Sequence, residues 1–287
     1  MVQSKDPIKI GIILTPDYNP FIQEMLQGVK RAEEEFNAFG IEVYVKMPLS
    51  LEPAEQVMIL NELESENVAG IAVFPINSAS VLDKINQLVD NGIAVVTFNS
   101  RLQGTNDLCF VGQDHKKGGR TVAGLMGKLL PQGGEMGVII SSYNLSCHQD
   151  RLQGFLDKIE EQHIPITVIS VRENQDRKEE AFKITLEYFN QHPDLKGIYI
   201  TGGGISGVGN ALDILEKTHD TALICHDLVS DTLTLLRNGT VDFAIGQSPE
   251  FQGYQLVKIL FDYLIKKQEP ATKYVEIPIT IATQDSL

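Results

Sequence analysis

Short, mostly apolar runs alternate along this chain with stretches of helical periodicity, and that alternation limits the fold more than any other feature. Ten such runs stand at 8–14, 42–46, 70–75, 94–99, 136–141, 166–170, 197–201, 222–226, 243–247 and 274–281. A strand that is apolar throughout, not only at alternate positions, has both faces covered, as in a parallel sheet packed between helices. Between the first two runs Met25, Leu26, Val29, Ala32 and Phe36 recur at spacings of three and four, the stripe a helix presents to a sheet. Strand–helix alternation of this kind implies right-handed βαβ units, so the expected class is a doubly wound α/β fold. Ten strands are many for one open sheet, and two sheets are expected.

An internal repeat supports the division. Gly11 is followed fifteen residues later by Leu26-Gln27-Gly28, and Gly137 fifteen residues later by Leu152-Gln153-Gly154. Each tripeptide continues through an acidic helix (Glu33, Glu34 and Glu35; Glu160 and Glu161) into an I-x-V strand at Ile41 or Ile166. The halves read as two copies of one unit. Ligands of open α/β sheets bind beyond the carboxyl ends of the strands, so two facing sheets would enclose a cleft lined by strand-end loops.

The residues at those ends are chemically coherent. Asp17, Tyr18, Asn19 and Phe21 follow the first run, and Asn99, Ser100 and Arg101 the fourth. Asn144, His148, Asp150 and Arg151 follow the fifth, Asp227 the eighth, and Gln247 ends the ninth. Carboxylates, amides and a guanidinium fork bond paired hydroxyls, while an aromatic face packs the C–H side of a sugar ring. Helix capping explains Asn19, Ser100 and Asp150 equally well. Arg151 and Asp227 are not cap-like.

Other chemistries find less support. G202-G-G-I-S-G207 fits the G-x-G-x-x-G dinucleotide pattern, with Asp227 twenty residues beyond; its glycines can instead make room for a bulkier ligand. Cys147-His148 and Cys225-His226 lack further ligands at metal spacing. There is no nucleophile elbow and no carboxylate pair of glycosidase type. His115, His163, His192 and His219 sit in polar contexts and read as surface residues. The expectation is a non-enzyme without metal or cofactor. A net charge of −14 excludes nucleic-acid contact through these residues. Three cysteines are too few for a disulfide framework and read as reduced thiols of a cytoplasmic protein. Neither a membrane span nor a signal peptide is evident.

The stretches NPFIQEMLQGVKRAEEE, GIAVVTFNSR, FVGQDHKKGGRTVAGLMGKLL, CHQDRLQGF and ICHD…LLRNGTVDFAIGQSPEFQGYQ resemble the type I periplasmic-binding-protein fold, and most of all the effector domain of LacI/GalR-type transcriptional regulators. The resemblance runs from Ile8 to about Thr283. It implies two Rossmann-like subdomains, 1–112 with 249–270 and 113–248 with 271–287, joined by crossovers near Gly112, Ser248 and Ala271, with a sugar between them. It also implies that Asn19 and Phe21 belong to the first ligand loop and that Asn99 bonds the ligand. Arg151 would reach a ring oxygen or hydroxyl, Asp227 would take a hydroxyl pair, and Gln247 would supply an amide at the last crossover. Arg101 and His148 complete the candidate set. Two departures stand out: Asn99 replaces a usual Asp, and Gly202, Gly203 and Gly204 replace an Asn-Asp pair. The implied protein is a homodimeric, cytoplasmic, sugar-responsive regulator that reaches operator DNA only through a headpiece absent from this sequence. The alternative is an extracytoplasmic sugar-binding protein serving an ABC transporter.

Overall fold

The computed structural model describes residues 7–16 and 19–287. The first sheet contains β1 (Ile8–Ile13), β2 (Ile41–Lys46), β3 (Gly70–Val73), β4 (Ala94–Phe98) and β5 (Cys109–Gly112), connected through α1 (Pro20–Phe36), α2 (Pro53–Ser65) and α3 (Ala79–Asp90). The second contains β6 (Gly134–Ile140), β7 (Ile166–Glu173), β8 (Gly197–Ile200), β9 (Ala222–His226) and β10 (Phe243–Gly246). Its helices are α4 (His115–Leu129), α5 (Ser146–Glu161), α6 (Lys178–Gln191), α7 (Ile205–Ile214) and α8 (Ser230–Arg237). The chain then returns to the first sheet as α9 (Pro249–Leu264) and ends in β11 (Tyr274–Glu276) and β12 (Thr280–Ala282). The strand orders are β11-β5-β4-β3-β1-β2 and β12-β10-β9-β8-β6-β7. All pairings are parallel except β12 against β10. This is the α/β architecture with two parallel-sheet subdomains that the apolar runs imply.

Strand legibility followed burial. Every residue of β3 and β4 is buried, which is why those runs read as unbroken apolar segments. The edge strand β7 is covered on one side only, so it carries Ser170, Arg172 and Glu173 and continues three residues past the expected end at 170. The four-residue β5 was not anticipated at all. The run at 274–281 is two strands, because Pro278 has no N–H to give a ladder. β11 pairs with β5 in the first sheet and β12 with β10 in the second. The third crossover therefore lies at 277–279 and not near Ala271, and residues 274–276 belong with the first sheet. One side chain ties the three crossovers together: Gln113 Nε2 donates to Gly246 O and to Pro278 O, each at 3.1 Å.

The repeated Leu-Gln-Gly has a packing cause. A Cβ on Gly28 would lie 1.9 Å from Glu250 O of α9, and one on Gly154 would lie 2.0 Å from Lys116 O of α4. The opposing helices reciprocate: a Cβ on Gly253 would meet Met25 O at 2.1 Å, and one on Gly119 would meet Arg151 O at 1.9 Å. The pairs α1/α9 and α4/α5 thus cross in backbone contact, which only glycine permits. The repeat is one helix crossing built twice.

Candidate functional site

The carboxyl ends of the two sheets face each other across a small, nearly closed cavity of about 20 Å³. Its wall includes Asn19, Phe21, Asn99, His148, Arg151, Asp227 and Gln247, joined by Thr15, Phe74, Asp176 and Gly202. Arg101 is not among them. Its exposed side chain lines an outer hollow with Asn77, Gln103 and Asp150, and its guanidinium lies 5.9 Å from the Phe110 ring. Three residues after the strand's last buried position, the chain has already turned out of the cleft. Asp17 and Tyr18 lie outside the described residues.

Local backbone conformation aims the polar groups. Asn99, Asp176 and Asp227 follow β4, β7 and β9 with φ of 55°, 57° and 72°. Asn and Asp tolerate this left-handed region better than other side chains, and such residues persist where surrounding bonds hold them. Asn99 N donates to Val111 O at 2.9 Å, and Asp227 N to Ile245 O at 2.8 Å. His115, expected on the surface, is buried, and its Nε2 donates to Asn99 O at 2.5 Å. The helical spacing of α4 turned this histidine inward against the crossover. Asn19 serves both readings made of it: its side chain accepts from Phe21 N at 3.0 Å as the cap of α1, and it lines the cavity.

Arg151 is 1% exposed. Its Nη1 donates to Thr201 O at 2.6 Å, while Nε and Nη2 have no partner among the described residues. Asn99 Oδ1 and Gln247 Oε1 are likewise buried without a partner. Gln247 Nε2 donates to Asp227 Oδ1 at 2.6 Å. Burial pushes the Asp227 carboxyl up to about 6, against the opposing pull of the Arg151 charge and the Gln247 bond. Burial also raises Asp176, countered by the Gly203 N–H at 2.6 Å. His148, bonded through Nδ1 to Thr201 Oγ1 at 2.9 Å, is held well below its usual value by burial and by Arg151, and is neutral near pH 7.

Asp227 yields a pH prediction. Its folded-state value lies above the unfolded one of about 3.8, so its contribution to stability is complete below about pH 4 and is lost as pH rises through about 6. Above that, the ionised carboxylate costs at most about 3 kcal/mol, two units at about 1.4 each. Asp227→Asn is expected to raise the melting temperature of the ligand-free protein at pH 7.5, with the gain vanishing by pH 4. A gain of equal size at both values would contradict the assignment.

Asp176 and His115 escaped sequence reading. The available signal for Asp176 was its place beyond the true end of β7, hidden because that edge strand stops looking apolar before it stops being a strand. The glycine loop also reads differently now. A Cβ on Gly202 would meet His148 Cε1 at 2.7 Å and Asp176 Oδ1 at 2.8 Å, and one on Gly203 would meet Asn19 Cγ at 3.0 Å. Protein side chains occupy the space that the glycines leave. Gly207 packs α7 against Lys178 O, where a Cβ would lie at 1.9 Å. The G-x-G-x-x-G pattern is thus accounted for by packing.

The chain matches the model of the periplasmic binding protein domain over residues 10–268. It is 27% identical over 235 residues to a xylose/arabinose-binding protein of Sulfolobus acidocaldarius, covering 75% of this chain and 57% of that relative's length. It is 22% identical to the D-allose-binding periplasmic protein of Escherichia coli, covering 88% of this chain and 83% of the relative. A structure described as a LacI transcriptional regulator of Bacteroides fragilis superposes with a TM-score of 0.89 at 22% identity, covering 98% of each chain, a likeness of fold alone. The curated relatives, sugar-binding proteins with one named as periplasmic, overturn the expectation of a cytoplasmic regulator. The cysteine argument for it also fails physically. All three thiols are buried, and burial pushes Cys109 up to about 12 and Cys147 up to about 11, so they are inert and carry no record of a redox compartment. The sequence match over most of its length, with the two-sheet architecture, shows that this chain belongs to the periplasmic binding protein family.

Proposed function

We propose that the chain binds one sugar ring in the cleft and acts as the ligand-carrying component of extracytoplasmic sugar uptake. The observation that carries the reading is the set of buried, unpartnered polar atoms on the cavity residues: Arg151 Nε and Nη2, Asn99 Oδ1 and Gln247 Oε1. Each unsatisfied group costs about 1–3 kcal/mol, and sugar hydroxyls, which both donate and accept, relieve that cost. Phe21 and Phe74 supply apolar wall for the C–H face. The relatives' names, with xylose, arabinose and allose, lie in the same ligand class.

The lobes are joined by three short crossovers, so binding and release require them to part and close. A sugar favours the closed arrangement only by the difference in its affinity for the closed and open forms. Asn99 and Phe21 come from one lobe and Arg151 and Asp227 from the other, so a ligand touching all four has that difference built in.

The cavity size makes a prediction. At about 20 Å³ it lies far below ligand pockets of roughly 300–1,000 Å³, so the lobes have to part to admit a sugar, and the smallest parting admits a single ring. In a thermal-shift and calorimetric screen, a pentose or hexose is expected to bind with 1:1 stoichiometry and to raise the melting temperature with concentration. Disaccharides are expected to have no effect. A screen in which no monosaccharide produces a shift would overturn the proposal.

A further inference from the structure

We propose that the preferred ligand is an amino sugar, whose ammonium group sits against the carboxylates of Asp176 and Asp227. This rests on the reading of the cleft as a sugar site and deepens it. The first ground is a charge mismatch. Among the described residues the cavity wall presents one guanidinium, Arg151, against two carboxylates, with His148 neutral. Arg151 is the cation that acts on both acids, and it cannot balance two. The neighbouring Glu24 on α1 adds to the negative field, since the charge of Asp227 helps to raise it.

The second ground is a mismatch of donors and acceptors. Among the described residues the buried unpartnered atoms of the wall are two acceptors, Asn99 Oδ1 and Gln247 Oε1, and two donors, Arg151 Nε and Nη2; the carboxylates of Asp176 and Asp227 add acceptors to these. A hydroxyl brings one donor and two acceptor lone pairs; an ammonium brings three donors and no acceptor. An acceptor-rich wall is therefore better matched by a ligand with one hydroxyl replaced by an ammonium, and bonds between ionised partners are roughly twice as strong as neutral ones.

The third ground is the loop that admits Asp176. Side chains at 202 and 203 would meet Asp176 Oδ1 at 2.8 and 3.0 Å, so the glycines there let this carboxylate reach the cavity. The Gly203 N–H then holds one carboxylate oxygen at 2.6 Å. Asp176 and Arg177 both line two outer hollows, and of the two only Asp176 also lines the cavity.

The test is calorimetry on the whole chain at pH 7.5 with D-glucosamine, D-galactosamine and D-mannosamine, each beside its parent hexose and its N-acetyl derivative. One amino hexose is expected to bind about tenfold or more tighter than both its parent and its uncharged N-acetyl form. Asp176→Asn is expected to abolish that advantage, lowering affinity for the amine about tenfold or more beyond any loss it causes for the parent sugar. A parent hexose or N-acetyl derivative that binds as tightly as the amine would overturn this inference and leave the sugar site standing. If neither amino nor neutral monosaccharides bind, both readings fall.

Discussion

Arg151→Met is expected to weaken monosaccharide binding by about thirtyfold or more, since losing one partner of a buried, hydrogen-bonded charge costs roughly 2–5 kcal/mol. Arg151 is the largest fully buried side chain among the described residues, and its Nη1 already holds Thr201 O. Methionine fills most of the aliphatic stem but returns none of the donors. Thr201 O loses its partner, and the two carboxylates lose the one charge that opposes their mutual repulsion. Calorimetry against the cognate sugar, with a melting curve to establish that the variant folds, gives the measurement. Affinity within about threefold of the parent protein would remove Arg151 from the site.

Gly119→Ala is expected to lower stability by about 3–5 kcal/mol, the upper tail for a point substitution, because its Cβ would lie within bonding distance of a backbone atom. The obstacle is Arg151 O at 1.9 Å, and a backbone oxygen cannot rotate aside as a side chain can. α4 and α5 would have to separate, carrying Arg151 with them. Gly28→Ala creates the same overlap, 1.9 Å from Glu250 O, at the α1/α9 crossing. Both variants should melt well below the parent protein, by roughly 2–4 °C per kcal/mol for a chain of this size class. They should differ in binding: under conditions where each remains folded, Gly119→Ala also weakens sugar affinity, and Gly28→Ala does so much less. Equal affinity losses would mean that the crossing at Arg151 has no special connection to the cleft.

The two glycines also show how far a linear reading reaches. The Leu-Gln-Gly repeat was visible as a duplication, but the reason for its glycine was not. That reason lies in Glu250 and Lys116, residues remote in the chain or on a separate helix. Of the proposed contact residues, Asn19, Phe21, Asn99, His148, Arg151, Asp227 and Gln247 do converge on one cavity, and Arg101 does not. Position at a strand end was enough to nominate them. It could not distinguish Asn99 from Arg101, because that depends on a left-handed turn at Asn99 held by the bond to Val111 O.

The layered α/β class, the division into two sheets and the clustering of polar side chains at strand ends were all legible along the chain. These follow from local patterns: strands covered on both faces are apolar throughout, and polar residues appear where the strands leave the core. The remaining features arise from contacts between distant segments. Those contacts move the third crossover past Glu276, since strand partners are chosen across the sheet and not along the chain. They turn His115 inward against Asn99 O. They bring Asp176 into the cleft beside glycines that yield it space. Each of these depends on atoms far apart in sequence approaching within hydrogen-bonding or van der Waals distance, and residue spacing alone does not encode such approaches.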